Sequence, residues 1–125
     1  MNKPDLQKWL DAYVEAWRTY DPDKIRALFT EDATYRFNPF EKNPLSGREA
    51  IVANWRQSPD APGSWTAEYH ALAVDGDVAI AEGETRYAGD AKTAERRYAN
   101  LWVMRFAPDG RCREFTEWFM EPRRG

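Results

Sequence analysis

The densest group of residues able to do acid–base chemistry lies on one predicted strand, Val78–Tyr87. Glu82, Glu84 and Arg86 alternate along it, so their side chains share one face. If that face points into a cavity, the carboxylates could act as general acid and base, with Arg86 offsetting the charge of at least one glutamate. The alternative is a solvated charged face, with the small residues between the charges packed inward, namely Ala79, Ala81 and Gly83. Alternation alone leaves both orientations open.

Further candidates for a ligand-binding cavity lie on two other predicted elements. Asn100 and Trp102 share a face of the next strand, where an amide could orient a polar ligand group and an indole could stack on an apolar one. The same face also fits an ordinary core, with the amide bonded to a neighbouring backbone. Tyr13 and Trp17 belong to an aromatic stripe at helical spacing, which is typical of core, although a buried Tyr13 hydroxyl must find a partner.

Two residue types that often carry chemistry occur once each. His70 is the one histidine and could be the base of a dehydratase-like site, although a lone histidine on a strand is more often structural. Cys112 lies between two arginines but has no obvious histidine partner, so we expect an inert strand residue. Without paired ligand spacings, a glycine-rich phosphate loop or a serine elbow, the sequence predicts no metal site and no cofactor.

Composition narrows the classes of partner. The chain has 125 residues, the size of one domain, and a net charge of −3. Its basic clusters are Arg96–Arg97 and Arg123–Arg124, too little for the basic stripe of a nucleic-acid-binding protein. The single cysteine excludes an internal disulfide, and no apolar run resembles a signal peptide or a membrane span. We therefore expect a cytoplasmic protein that binds neither nucleic acid nor membrane.

Helices are predicted first along the chain and strands later. Apolar spacings of three and four predict a helix over about residues 4–20, and Asp21-Pro22 caps a short second helix. Ser46 and Glu49 form the pattern of a capping box that opens a third helix. Alternating patterns and hairpin turns predict an antiparallel meander in an α+β domain, with strands at 33–38, 64–74, 78–87, 97–106 and 111–120.

Six short segments stand along the chain in a fixed order: Asp21-Pro22 with Ile25 and Phe29, Glu31-Asp-Ala-Thr34, Ser46-Gly-Arg-Glu49, Val103-Met-Arg-Phe106, Asp109-Gly-Arg111 and Phe115-Thr-Glu-Trp118. In this order and spacing they resemble the nuclear transport factor 2-like superfamily and, within it, the SnoaL-like proteins. The resemblance covers nearly the whole chain and implies a single SnoaL-like domain over residues 1–125. It implies three N-terminal helices on a curved antiparallel sheet, forming a cone with a blind internal pocket. The superfamily includes isomerases, dehydratases, epoxide hydrolases, polyketide cyclases and many non-catalytic proteins, so the fold leaves the function open.

The ketosteroid isomerase pattern of this superfamily is matched at one position of three. Tyr13 falls at the position of the oxyanion-binding tyrosine. The position of the basic aspartate holds Asn38, or Phe37 if a bulge shifts the strand, and that of the protonated aspartate holds Trp102. Neither asparagine nor tryptophan abstracts a proton at neutral pH, so we reject ketosteroid isomerisation by that mechanism.

The sequence thus predicts one of two functions. The first is a small-molecule pocket protein, as a cofactor-independent acid–base enzyme of isomerase, dehydratase, cyclase or epoxide-hydrolase type acting on a small, largely apolar substrate. The second is a non-catalytic dimerisation or ligand-binding module. The candidate catalytic residues are Glu82, Glu84 and Tyr13, and the candidate ligand-binding residues are Trp17, Asn38, Arg86, Asn100, Trp102 and His70. We also expect a homodimer through the outer face of the sheet, where Trp65, Tyr69, Trp118 and Phe119 are candidates for exposed large side chains.

Overall fold

Three helices and six strands make up residues 1–122, the part of the chain that the computed structural model describes. The predicted basic pair Arg123–Arg124 lies outside it. None of the helices within residues 1–122 has the length and apolar character to cross a membrane. In chain order the elements are α1 (Lys3–Thr19), α2 (Pro22–Arg26), β1 (Phe29–Arg36), β2 (Leu45–Ser46), α3 (Arg48–Gln57), β3 (Trp65–Asp75), β4 (Val78–Tyr87), β5 (Arg96–Phe106) and β6 (Cys112–Met120).

The strands form one sheet in the order β2-β1-β6-β5-β4-β3. The four strands from β3 to β6 are the predicted antiparallel meander, and the α+β class is confirmed. The pairing of β1 with β6 is parallel, which the expectation of a purely antiparallel sheet missed. Because β1 and β6 are separated along the chain by α3 and four strands, no tight turn forces them to run in opposite directions.

Helix α1 lies against the inner face of the sheet with its apolar stripe buried. Leu6, Leu10 and Ala16 are fully enclosed, as the spacing of apolar residues predicts. Its first turn is closed by a capping box, in which the Asn2 side chain accepts from the Asp5 backbone and the Asp5 carboxylate accepts in return from the Asn2 backbone. The helix therefore directs its aromatic side chains into the interior at fixed positions along its axis.

The predicted capping box at the start of α3 is wrong. Ser46 is the last residue of β2, paired with Thr34 of β1, and its side chain does not cap the helix. The N-cap is Gly47, whose φ of 92° lies where glycine is favoured, and whose backbone N–H donates to the Ala33 carbonyl at 2.8 Å. The strand pairing thus fixes the entry to α3, and the helix begins at Arg48.

Strand β4 turns its small residues to the interior. Ala79 and Ala81 are buried, and a Cβ on Gly83 would overlap the Glu68 carbonyl oxygen and the ring of Tyr69. The space above β4 is instead filled by rings from its two neighbours, since Tyr69 of β3 stacks on Trp102 of β5 with ring centroids 3.9 Å apart. Because successive side chains alternate, the charged residues of β4 face outward.

Candidate functional site

The expected convergence of Glu82, Glu84 and Arg86 on the same cavity as Tyr13 and Trp102 is wrong, because all three lie on the outer face of the sheet. Glu82 and Arg86 are exposed, and Glu84 is half-exposed. Arg86 does pair with Glu84, Nε to Oε1 at 3.0 Å, but Arg97 also binds the same carboxylate. The hydrogen bonds from the two arginines lower the pKa of Glu84, and the hydrogen bond from Arg97 has the larger effect. The alternative orientation of β4, with its small residues inward, is the one that the fold adopts.

Two further candidates lie away from the interior. His70 is exposed on the outer face of β3, where its register partner is Glu82. Asn38 follows the end of β1, and its Oδ1 accepts from the Phe40 backbone at 2.9 Å, so it serves a turn. Neither side chain lines the cavity under the helices.

That cavity has a volume of about 440 Å³ and opens between the helices and the inner face of the sheet. Four of the predicted residues line it: Tyr13, Trp17, Asn100 and Trp102. Most of the wall is aromatic, which favours a flat or apolar occupant. The other lining residues are Tyr20, Tyr35, Phe37, Asn54, Trp55, Ser58, Asp60, Tyr69, Thr85, Tyr87, Arg96, Tyr98, Glu117 and Phe119.

Two buried tyrosines form the hydroxyl pair of this cavity. The hydroxyls of Tyr13 on α1 and Tyr35 on β1 lie 2.7 Å apart. Burial raises the pKa of both phenols well above the usual range, and Glu117 adds to this for both. Tyr35 raises the pKa of Tyr13 further, whereas the hydrogen bond with Tyr13 partly opposes the rise for Tyr35. Both are therefore protonated at neutral pH, and only one of the two hydrogens is used between them. The second is left to donate to a ligand.

Glu117 is the carboxylate at the inner end of the cavity, and it was not among the predicted site residues. It lies on β6 opposite Trp102, whose indole Nε1 donates to its Oε2 at 2.9 Å. No Lys, Arg or His within residues 1–122 forms an ion pair with it. Burial raises the pKa of Glu117, and the hydrogen bond from Trp102 opposes this only in part. The available signal was its position between Phe115 and Phe119, on the same face of the strand.

A chain of hydrogen bonds orients the amide of Asn100. Thr85 Oγ1 donates to Asn100 Oδ1 at 3.0 Å, and the Tyr69 hydroxyl bonds to the same Thr85 oxygen. Since the Thr85 hydrogen is used on Asn100, Tyr69 must be the donor to Thr85. Within residues 1–122 the Asn100 Nδ2 group has no acceptor, so a ligand oxygen in the cavity could take its hydrogens.

The mouth of the cavity carries charges of both signs. Asp60 Oδ2 accepts from Trp17 Nε1 at 3.0 Å and from the Tyr20 hydroxyl at 3.3 Å. The Arg96 guanidinium lies 4.8 Å from the centre of the Tyr87 ring. Burial, with smaller effects from Asp60 and Glu117, raises the pKa of Tyr87 to about 12. The polar groups thus divide into a deep set around Glu117 and a set at the mouth.

Cys112 and the possible metal ligands add no further chemistry. Cys112 is enclosed in the core, and burial raises the pKa of its thiol, in keeping with the inert residue expected. Among the described residues, no three His, Cys, Asp or Glu side chains come together where they could hold a metal ion. The cytoplasmic location expected from the single cysteine stays a prediction.

Comparison with known proteins finds one family. The sequence profile of the SnoaL-like domain matches residues 10–115. No match was found among curated proteins. The structure is similar to an NTF2-like protein of unknown function from Burkholderia xenovorans, with a TM-score of 0.74 and 21% identity, over 100% of this chain and 90% of that one.

Two other solved structures show the same fold. One is an NTF2-like protein of unknown function from Cytophaga hutchinsonii, with a TM-score of 0.70 and 12% identity, over 96% of this chain and 100% of that one. The other is an LEH-like epoxide hydrolase from M. tuberculosis, with a TM-score of 0.68 and 16% identity, over 94% of this chain and 84% of that one. The predicted resemblance and fold are confirmed by these matches.

Proposed function

Because the chain belongs to the SnoaL-like domain family, we propose that it is a small-molecule pocket protein and a cofactor-independent acid–base enzyme acting on a small, largely apolar substrate. The observation that carries this proposal is Glu117, a carboxylate in an aromatic cavity with one oxygen bonded to Trp102 and no cation beside it among residues 1–122. A raised pKa brings a carboxyl group closer to neutral pH, where it can both take and return a proton.

The reaction proposed is proton transfer next to a carbonyl group. Glu117 takes a proton from carbon, and the electron pair of the C–H bond moves onto the carbonyl oxygen. The free hydrogen of the Tyr13–Tyr35 pair donates to that oxygen as negative charge develops on it. Glu117 then returns the proton to the same or another carbon, so no external oxidant, reductant or metal enters the balance. Tyr13 keeps its predicted catalytic role, while Glu117 takes the role first assigned to Glu82 and Glu84.

Deuterium exchange tests this function without knowledge of the natural substrate. Tetralone, an aromatic ketone with acidic C–H bonds, is incubated with the protein in D₂O and followed by NMR. Replacing Glu117→Gln should slow exchange by about 10²–10⁴-fold. The matched control is Glu114→Gln on the outer face of the same strand, where Glu114 pairs with Arg105 at 3.3 Å. Equal rates in the parent and in the Glu117 variant would remove the main support for an enzyme.

Epoxide opening is the second reaction to test. The similarity of fold to an epoxide hydrolase suggests it. Here Glu117 would take a proton from water as the water oxygen bonds to an epoxide carbon and the bond from that carbon to the ring oxygen breaks. The tyrosine pair would donate a hydrogen bond to the departing oxygen, which then takes up the proton that Glu117 releases, so the product is a diol. Hydrolysis of styrene oxide, followed by chromatography with the same two variants, distinguishes it from proton exchange.

An outer-face homodimer is the second candidate function. Leu101 and Trp118 are cross-strand neighbours there, 37% and 49% exposed, and Met120 beside them is 74% exposed. Two of the other expected contributors face inward instead, since Tyr69 is buried and Trp65 stacks on Trp17. Phe119 is 48% exposed but lines the mouth of the cavity.

Sedimentation tests the dimer. If the outer face forms an interface of standard size, the parent should be a dimer at a working concentration of about tens of micromolar, and Trp118→Glu should be a monomer. A monomeric parent would contradict the interface. A dimer whose Glu117→Gln variant behaves as the parent in both reactions would favour the non-catalytic module.

A further inference from the structure

Arg96 is a cation at the mouth of the cavity that no carboxylate of residues 1–122 neutralises. It lies on the inward face of β5 and lines the cavity. Its neighbour Arg97 faces outward and pairs with Glu84. The two consecutive arginines thus have different surroundings. Of the two, Arg96 has no ion-pair partner among residues 1–122 and can form one with a ligand.

The position of Arg96 suits a carboxylate. Its guanidinium rests on Tyr87, its cross-strand partner, at 4.8 Å from the ring centre. Stacking on an aromatic face holds the plane of the guanidinium and leaves its N–H groups at the edge. From that edge, two parallel hydrogen bonds can reach one carboxylate.

The deep end of the same cavity disfavours an anion. Glu117 lies there without a cation among the described residues, so an anionic group of a ligand placed beside Glu117 would be repelled by its carboxylate. At the mouth, Asp60 is the opposing charge, and its Oδ2 is occupied by Trp17 and Tyr20. A ligand anion must therefore lie on the Arg96 side of the mouth, and the rest of the ligand must be neutral.

Strand β5 sets the distance between the two ends. Arg96 and Trp102 are six residues apart on one face, about 20 Å between Cα atoms at 3.3 Å per residue. Trp102 is the register partner of Glu117, so Glu117 lies about as far from Arg96 along the sheet as Trp102 does. Between them, Asn100 offers its Nδ2 hydrogens to an oxygen. A ligand that touches both ends is elongated.

We propose that the cavity binds an elongated amphiphilic anion, with its carboxylate at Arg96 and a neutral, largely apolar end between Tyr13 and Glu117. This rests on the proposed function only in taking the cavity as the ligand site, and it requires no catalysis.

Paired probes of equal shape test this proposal by calorimetry. Phenylhexanoate, with its ring and carboxylate at opposite ends, is compared with phenylhexanamide, which lacks the charge. The parent should bind the acid about tenfold more tightly than the amide, since hydrogen bonds to charged groups are the stronger ones. Raising the salt concentration from about 0.01 M to about 1 M should shrink this preference, because the mouth is open to solvent.

Two arginine variants assign the preference. Arg96→Gln should bind both probes equally, Arg96→Lys should keep part of the preference, and the control Arg97→Gln should keep all of it. The proposal is overturned if the parent does not bind the acid, if it binds the amide as tightly, or if Arg97→Gln loses the preference to the same extent. Because only binding is measured, Glu117→Gln can fail to affect exchange while the acid preference remains, which would reject the catalytic proposal alone.

Discussion

The two faces of the sheet treat their glutamates in opposite ways. Glu84 on the outer face is held by Arg86 and Arg97, and these partners lower its pKa. Glu117 on the inner face has an indole N–H as its partner, and burial raises its pKa. The outer face holds more carboxylates, but they are either open to solvent, as Glu82 is, or paired with arginine, as Glu84 is. The comparison shows that the suitability of a carboxyl group for acid–base chemistry depends on its enclosure and on whether a cation lies beside it. The number of acidic residues along a strand does not decide it.

The largest difference between the faces should appear in core stability. Phe115 is enclosed on the inner face of β6, stacked on Tyr35 with centroids 4.3 Å apart, while Met120 on the outer face is 74% exposed. Phe115→Ala should lower the free energy of unfolding by about 3–5 kcal/mol, through lost burial and the cavity left behind. Met120→Ala should change it by less than about 0.5 kcal/mol. Urea unfolding at a concentration where the protein is monomeric measures both, and equal losses would mean that the faces are misassigned.

A smaller loss is expected from filling the gap that β4 leaves for the aromatic rings. Gly83→Ala places a methyl group against the Glu68 carbonyl oxygen and Tyr69. We expect a loss of about 1–3 kcal/mol, typical of overpacking, together with disturbance of the Tyr69–Trp102 stack. Glu82→Ala, the outward neighbour, is the control and should be nearly neutral. Near-UV circular dichroism follows the aromatic packing, and an unchanged spectrum with unchanged stability would contradict the close approach.

The order of the elements could be predicted from the sequence because its signals are local. The apolar stripe of α1 and the Asp75-Gly76 turn, where Gly76 has a φ of 61°, depend on neighbouring residues alone. The inward face of β4 could not be predicted, because alternation is the same for both orientations. What decides it is the meeting of Tyr69 with Trp102 across Gly83, which involves three strands.

The candidate site was predicted only in part for the same reason. Tyr13 and Asn100 were recognisable as polar groups within apolar faces. Glu117 stood in a motif used to identify the fold, yet its lack of a cation depends on side chains from distant strands. A better rule follows from this case: a single acidic residue flanked by aromatic residues at i−2 and i+2, as Phe115 and Phe119 flank Glu117, is a stronger candidate than a run of alternating charges.

The last prediction uses pH, where the two glutamates should act with opposite sign. The pKa of Glu117 is raised on folding, so the folded state holds this proton more tightly than the unfolded state does. Its contribution to stability is fully present below the unfolded pKa of glutamate, about 4.3, and is lost as pH rises through the raised folded pKa. For Glu84 the folded pKa is lowered, so its contribution is present above about pH 4.3 and is lost as pH falls through the folded pKa.

Urea unfolding is measured from acid to neutral pH for the parent, Glu117→Gln and Glu84→Gln. As pH rises from acid to neutral, the stability of the parent relative to Glu117→Gln should fall. Over the same rise in pH, the stability of the parent relative to Glu84→Gln should increase. The Glu84 effect should be the smaller, because its ion pairs are open to solvent and weaken with salt. Two difference curves of the same sign would contradict the assignment of one glutamate to each face.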